Sequence, residues 1–145
     1  MFISKALIMR FEAPLFFANC RTLSKNLIHA LEKRIHCSSK IAMNKTRRWK
    51  GCVIDLGSCG WIDVTACDVL KIPIQLYGKE GYPVYLARCN EMTKQMLIGA
   101  GVVELLHLYG GGLYDVIDDA VNKVLTSKKR KNKKNKKVLM VIKDE

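Results

Sequence analysis

The chain has 145 residues, 49% of them hydrophobic and 26% charged, which suffices for one domain of ordinary size with a packed core. This composition excludes a disordered or collagen-like chain, and no stretch approaches the ~20 uninterrupted apolar residues that span a bilayer. The net charge of +12 is uneven: residues 1–50 hold 11 basic and 2 acidic side chains, residues 51–127 hold 5 and 9, and Lys128–Lys137 holds eight basic residues and no acid.

Lys5 and Arg10 break the apolar run of Met1–Phe11, so no signal peptide and no secretion are expected. Ala6–Phe11 suits a short strand, and the apolar runs Ala13–Ala18 and Val102–Leu108 also have strand length. Asn19 or Thr22 is placed to cap a helix on which Leu23, Leu27, Ile28, Leu31 and Ile35 recur at helical spacing. His36–Lys50 has no period and much charge, which predicts a basic loop. Cys52–Leu56 reads as a buried strand. A helix from Val64 to Tyr77 would put Ala66, Leu70, Ile74 and Tyr77 on one face, with Pro73 expected to kink or split it.

Gly78–Gly81 predicts a turn and Pro83–Ala87 the next strand. Asn90 caps a helix running to Ala100, with Gly101 in the usual stop position. Leu105–Tyr109 suggests a last strand, Gly110–Gly112 a flexible loop, and Asp115–Leu125 a closing amphipathic helix. Strands alternating with helices predict an α/β fold with a largely parallel sheet. The expected organisation is one domain over residues 1–127, with 36–50 as a variable basic loop. Residues 128–145 form a polybasic tail too self-repelling to pack.

Chemistry-bearing patterns are scarce. Six cysteines (Cys20, Cys37, Cys52, Cys59, Cys67, Cys89) contain no CxxC, and His29, His36 and His107 form no ligand spacing with them, so reduced, buried thiols are expected and no metal site. No nucleophile-elbow, zinc-protease or phosphate-loop motif occurs, and neither a catalytic residue nor a cofactor is predicted. The aromatics Phe11, Phe16, Phe17, Tyr85 and Tyr109 are assigned to the core. Asp63 stands where a carboxylate caps a helix.

Five blocks together resemble a known family. Met9–Cys20 (MRFEAPLFFANC) resembles the start of the STAS domain of sulfate permease (SulP-type) anion transporters. The strand Val53-Ile54-Asp55-Leu56, the step Trp61-Ile62-Asp63, the block Val84-Tyr85-Leu86-Ala87-Arg88-Cys89-Asn90 and the helical Asp119-Ala120-Val121 follow in the family's order. The resemblance covers about residues 5–125. It implies a STAS fold, a mixed sheet of four or five strands with about four helices packed on it. It also implies a cytosolic module that regulates, assembles or sorts an anion transporter by protein contact, while a separate membrane domain moves the sulfate or other anion.

In the related anti-sigma-factor antagonists a D-S-[ST]-G motif carries a phosphorylatable serine; the matching residues here are Asp63, Val64, Thr65 and Ala66, without the serine or the glycine. The resemblance makes these four the candidate partner or nucleotide loop and Thr65 the candidate phosphosite. Implied partners are a transporter's membrane domain or regulatory proteins, at the cytoplasmic face of a membrane, or in the cytosol for a free-standing chain. The basic tail (Lys128, Lys129, Arg130, Lys131, Lys133, Lys134, Lys136, Lys137) is suited to anionic lipid, with nucleic acid the less favoured contact. Two alternatives remain open: a free-standing antagonist-like switch binding a protein or nucleotide through Asp63–Thr65, and a nucleic-acid-associated protein working through its tail.

Overall fold

A computed structural model describes residues 2–3, 6–40 and 50–127 of the chain, with side chains described over 6–33 and 50–127. Four strands run parallel in chain order: β2 (Ala6–Arg10), β3 (Gly51–Asp55), β4 (Val84–Ala87) and β5 (Gly112–Tyr114). A two-residue β1 (Phe2–Ile3) adds to the β2 edge antiparallel, so the sheet order is β1-β2-β3-β4-β5. Parallel neighbours need crossovers, and these are α1 (Cys20–Lys40), α2 (Val64–Lys79) and the pair α3 (Glu91–Gly99) and α4 (Val102–Leu108). The closing helix is α5 (Ile117–Thr126).

Strand alternation sorts side chains onto two faces. Leu7, Cys52, Ile54, Val84 and Leu86 join the larger core, shared with Leu23, Leu27, Leu31, Leu70, Ile74, Leu97 and Leu106 of the first four helices. Ala6, Val53, Tyr85 and Ala87 face the other way onto Ala120, Val121 and Val124 of α5. With both faces covered, all of β3 is buried, and each fully buried Leu or Ile contributes about 1.5–3 kcal/mol. The Tyr77 hydroxyl donates to the Leu27 carbonyl at 2.7 Å and ties α2 to α1; burial pushes its pKa far up, so it stays a neutral donor. Gly78 lies where any Cβ would collide with the Tyr109 ring, which is why a glycine is found inside a helix.

Several expectations need correction. Residues 36–40 continue α1 rather than opening the basic loop; residues 41–49 of that loop lie outside the described residues. Ala13–Ala18 is not a strand: Leu15 alone makes an isolated bridge to Ile62, and residues 17–19 form a turn. Asn19 precedes α1 but turns its amide backwards, accepting from the Phe16 N–H at 3.0 Å and donating to the Pro14 carbonyl at 2.7 Å. Pro73 does not split α2. Its missing N–H forfeits one backbone bond, and burial of Ala66, Leu70, Pro73, Ile74 and Tyr77 on one face holds the helix continuous.

The expected strands at Val102–Leu108 and Leu105–Tyr109 are instead α4, which buries Val102 and Leu106 four residues apart. The last strand comes later, because Gly112 belongs to β5 and not to a loop. Asn90 caps α3 as expected: its Oδ1 accepts from the Thr93 N–H at 2.8 Å, and Gly101 follows in the left-handed region with φ 78°.

Candidate functional site

The loops leaving the carboxyl ends of β2, β3 and β4 meet at one end of the sheet. Leu15–Phe17 and Trp61–Asp63 are zipped together: Leu15 N–H donates to the Trp61 carbonyl and Asp63 N–H to the Leu15 carbonyl, both at 3.1 Å. Asp63 then uses both carboxylate oxygens. Oδ1 accepts from the Ala66 N–H at 2.7 Å, capping α2, and Oδ2 accepts from the Phe17 N–H at 3.0 Å. The expected cap is present, and the second bond latches the segment before α1 onto the start of α2.

This latch holds an apolar ledge in solvent. Phe17 is 69% exposed, Val64 57% and Trp61 45%, with the Phe16 ring tilted against Trp61 at 5.6 Å and edge-on to Phe17 at 5.8 Å. Phe17, assigned to the core from sequence, is therefore a surface residue: the turn at 17–19 points it away from the sheet. Of the four candidate loop residues, Val64 and Thr65 are exposed, Asp63 is taken up by its two bonds, and Ala66 is buried in the core. The basic tail residues lie outside the described residues.

Beneath the ledge lies an ionic cluster that sequence reasoning did not single out. Arg10 ends β2, Asp55 ends β3 and Arg88 follows β4; register places Arg10 opposite Asp55, and Asp55 opposite Ala87. The Asp55 side chain has no exposed surface. Its Oδ2 accepts from Arg10 Nε at 2.9 Å and Arg88 Nη2 at 2.7 Å, and its Oδ1 from Arg88 Nε at 2.8 Å and Gly57 N–H at 3.0 Å. Burial pushes this carboxyl up, but the bonds from Arg88, Gly57 and Arg10 outweigh it and hold its pKa below the ordinary aspartate value. Arg88 adopts a left-handed backbone (φ 58°), uncommon for a side-chain-bearing residue, and its guanidinium lies where a Cβ on Gly57 would be. The available signal was three charged residues, each closing an apolar strand.

Asn90 completes the assembly by donating through Nδ2 to the Gly60 carbonyl at 2.8 Å, so the start of α3 grips the same loop. Cys20, Cys52, Cys59, Cys67 and Cys89 are buried and unbridged. Burial raises the thiols of Cys52, Cys59, Cys67 and Cys89, Cys67 to about 11 and Cys89 to about 12, so these four stay protonated at neutral pH. Among the described residues no group of three or more His, Cys, Asp or Glu could hold a metal ion, and no helix is long and apolar enough to cross a membrane. What the site offers is a fixed apolar surface above a doubly clamped carboxylate.

Three solved structures share this architecture. The murine Solute Carrier 26 family member A9 anion transporter, in its inward-facing state, aligns at 20% identity and TM-score 0.65, covering 86% of this chain and 18% of the transporter. The SulP transporter STAS domain from Vibrio cholerae aligns at 22% identity and TM-score 0.60, covering 87% of this chain and 85% of that domain. A putative anti-sigma factor antagonist from Thermotoga maritima aligns at 16% identity and TM-score 0.59, covering 86% and 92%. At these identities the likeness is one of fold, and the chain spans less than one-fifth of the murine transporter. No curated protein matches the sequence. The family model described as STAS domain matches residues 2–120, and on that match the chain belongs to the STAS-domain family.

Proposed function

We propose that this chain works as the cytosolic regulatory and interaction module of a SulP-type anion transporter, docking a protein partner through the ledge of Phe17, Trp61 and Val64. The observation behind this reading is that three large apolar side chains stand in solvent on loops fixed by the Asp63 latch. A fixed exposed apolar patch favours a protein contact, since partner binding then costs little ordering. Transport of the anion is assigned to a membrane domain and not to these residues.

The test is site-specific photo-crosslinking in native cells, with a benzophenone amino acid at position 64 and, as control, at exposed Lys25 on α1. Position 64 is expected to capture an integral membrane protein that position 25 does not, in the membrane fraction. Identical products from both positions would remove the ledge as the docking surface. An immunoblot adds the size: a membrane-bound band well above 16.4 kDa supports a larger transporter polypeptide, and a soluble band near 16.4 kDa counts against it.

Exposure of Thr65 in the first turn of α2 favours a second reading, an antagonist-like switch. A phosphate there would meet the positive end of the helix. Phosphate on Thr65 by mass spectrometry, or stabilisation of the purified chain by a nucleotide, would support it.

A further inference from the structure

The ionic cluster at the carboxyl ends of β2, β3 and β4 holds more positive charge than it neutralises. Two guanidiniums share one carboxylate, and both bond the same oxygen, Asp55 Oδ2. The adjoining pair, Lys94 with Asp115 at 2.6 Å, is internally neutral. Glu12, two residues beyond Arg10, forms no ion pair among the described residues. Among the described residues the cluster is thus left with one uncompensated positive charge. Asp55 is covered, while the arginine side chains are 55% and 41% exposed, so the surplus faces solvent.

Both arginines also keep unused donors. Arg10 donates to Asp55 through Nε alone, leaving both Nη groups without a partner among the described residues; Arg88 donates through Nε and Nη2, leaving Nη1. Guanidinium forks match tetrahedral oxyanions in shape, and here both are already immobilised, so a ligand would not have to order them. Arg88 holds its place through a left-handed backbone and a packing position that only a glycine at 57 leaves open. Uncommon backbone of this kind concentrates at ligand clamps. A mere cross-strand tie would need one arginine; the second adds charge that Asp55 cannot balance.

From this geometry we infer that Arg10 and Arg88, mounted on Asp55, form a binding site for a dianionic tetrahedral oxyanion of the phosphate class. The anion bridges Arg10 Nη and Arg88 Nη1 beside the Gly57–Trp61 loop. The site is separate from the apolar ledge, and its occupancy does not depend on the transporter assignment.

The eight basic residues of the tail also attract anions, so the test must be resolved by site. The full chain, labelled with ¹⁵N, is titrated with inorganic phosphate at pH 7.5 while the arginine Nε–H resonances are followed, with sodium chloride at matched ionic strength as reference. Saturable shifts of the Arg10 and Arg88 resonances beyond those in chloride are expected. Arg10→Gln should weaken phosphate binding at Arg88 about tenfold or more, the loss expected for one charge-assisted contact. Persistence of the Arg88 Nε–H resonance in that variant shows that the clamp on Asp55 is intact. O-phosphoserine separates the sources: tighter binding than inorganic phosphate assigns the site to a phosphorylated side chain, and equal or weaker binding to the free anion. Shifts no larger than in chloride, or unchanged by Arg10→Gln, would overturn the site and leave the arginines as structural ties.

Discussion

The starts of α2 and α3 use one device with opposite chemistry. Each has a short polar residue at the cap position whose Oδ1 accepts from the backbone N–H three residues on, Asp63 from Ala66 at 2.7 Å and Asn90 from Thr93 at 2.8 Å. They differ in the second atom. Asp63 has another acceptor and takes the Phe17 N–H, whereas Asn90 has a donor and gives it to the Gly60 carbonyl. The residue type at each cap therefore matches the polarity of the strap it must hold, a requirement the capping rule alone does not impose. Both caps grip the two sides of the loop that Asp55 and Arg88 support from below.

Removing that support should have the largest effect. Asp55→Asn leaves two guanidiniums facing a neutral amide. Breaking a buried pair costs ~3–5 kcal/mol, but the half-exposed arginines recover hydration, so a loss of about 2–3 kcal/mol in urea unfolding is expected. Asp63→Ala comes next, at about 1–2 kcal/mol, because cap and latch go together. Asp63→Asn sharpens the comparison: the amide oxygen can keep the cap, but its NH₂ then faces the Phe17 N–H, for a loss of about 1 kcal/mol. Hydrogen exchange at Phe17 should accelerate while Ala66 stays protected. The mirror change, Asn90→Asp, keeps its cap and sets a carboxylate against the Gly60 carbonyl, with a loss of about 0.5–1 kcal/mol partly offset by the helix dipole.

Acid should separate the layers further. The Asp55 pKa is depressed in the folded protein, so its stabilisation is fully present above the ordinary aspartate value of about 3.9 and fades as pH falls through the folded value. Asp55→Asn should therefore flatten the decline of stability below about pH 4, whereas Asn90→Asp should leave that decline in place. The smallest effect belongs to the ledge: Phe17→Ala and Trp61→Ala act on exposed side chains and should cost under about 0.5–1 kcal/mol in unfolding while abolishing the position-64 crosslink.

Much of the fold was legible because its signals are local. The short apolar runs Ala6–Phe11 and Cys52–Leu56, the helical spacing of Ala66, Leu70, Ile74 and Tyr77, and the caps at Asp63 and Asn90 all act within a few residues of one another. The site was legible only in part. Val64 and Thr65 do lie on the surface at a helix start, but Ala66 is core, Phe17 was assigned to the wrong environment, and the Arg10–Asp55–Arg88 cluster was missed.

Sequence by itself determined the βα order as far as β4, the faces of α1 and α2, the α3 cap and its glycine stop, since hydrogen bonds and periodic burial within one segment depend on that segment alone. Tertiary structure decided the rest. Val102–Leu108 is apolar enough for strand or helix, and packing against α2 and α3 selects the helix. Pro73 is tolerated because the burial around it outweighs one lost backbone bond. Asp55 meets Arg10 across 45 residues and Arg88 across 33 because strand register sets them side by side, and register is a property of the assembled sheet.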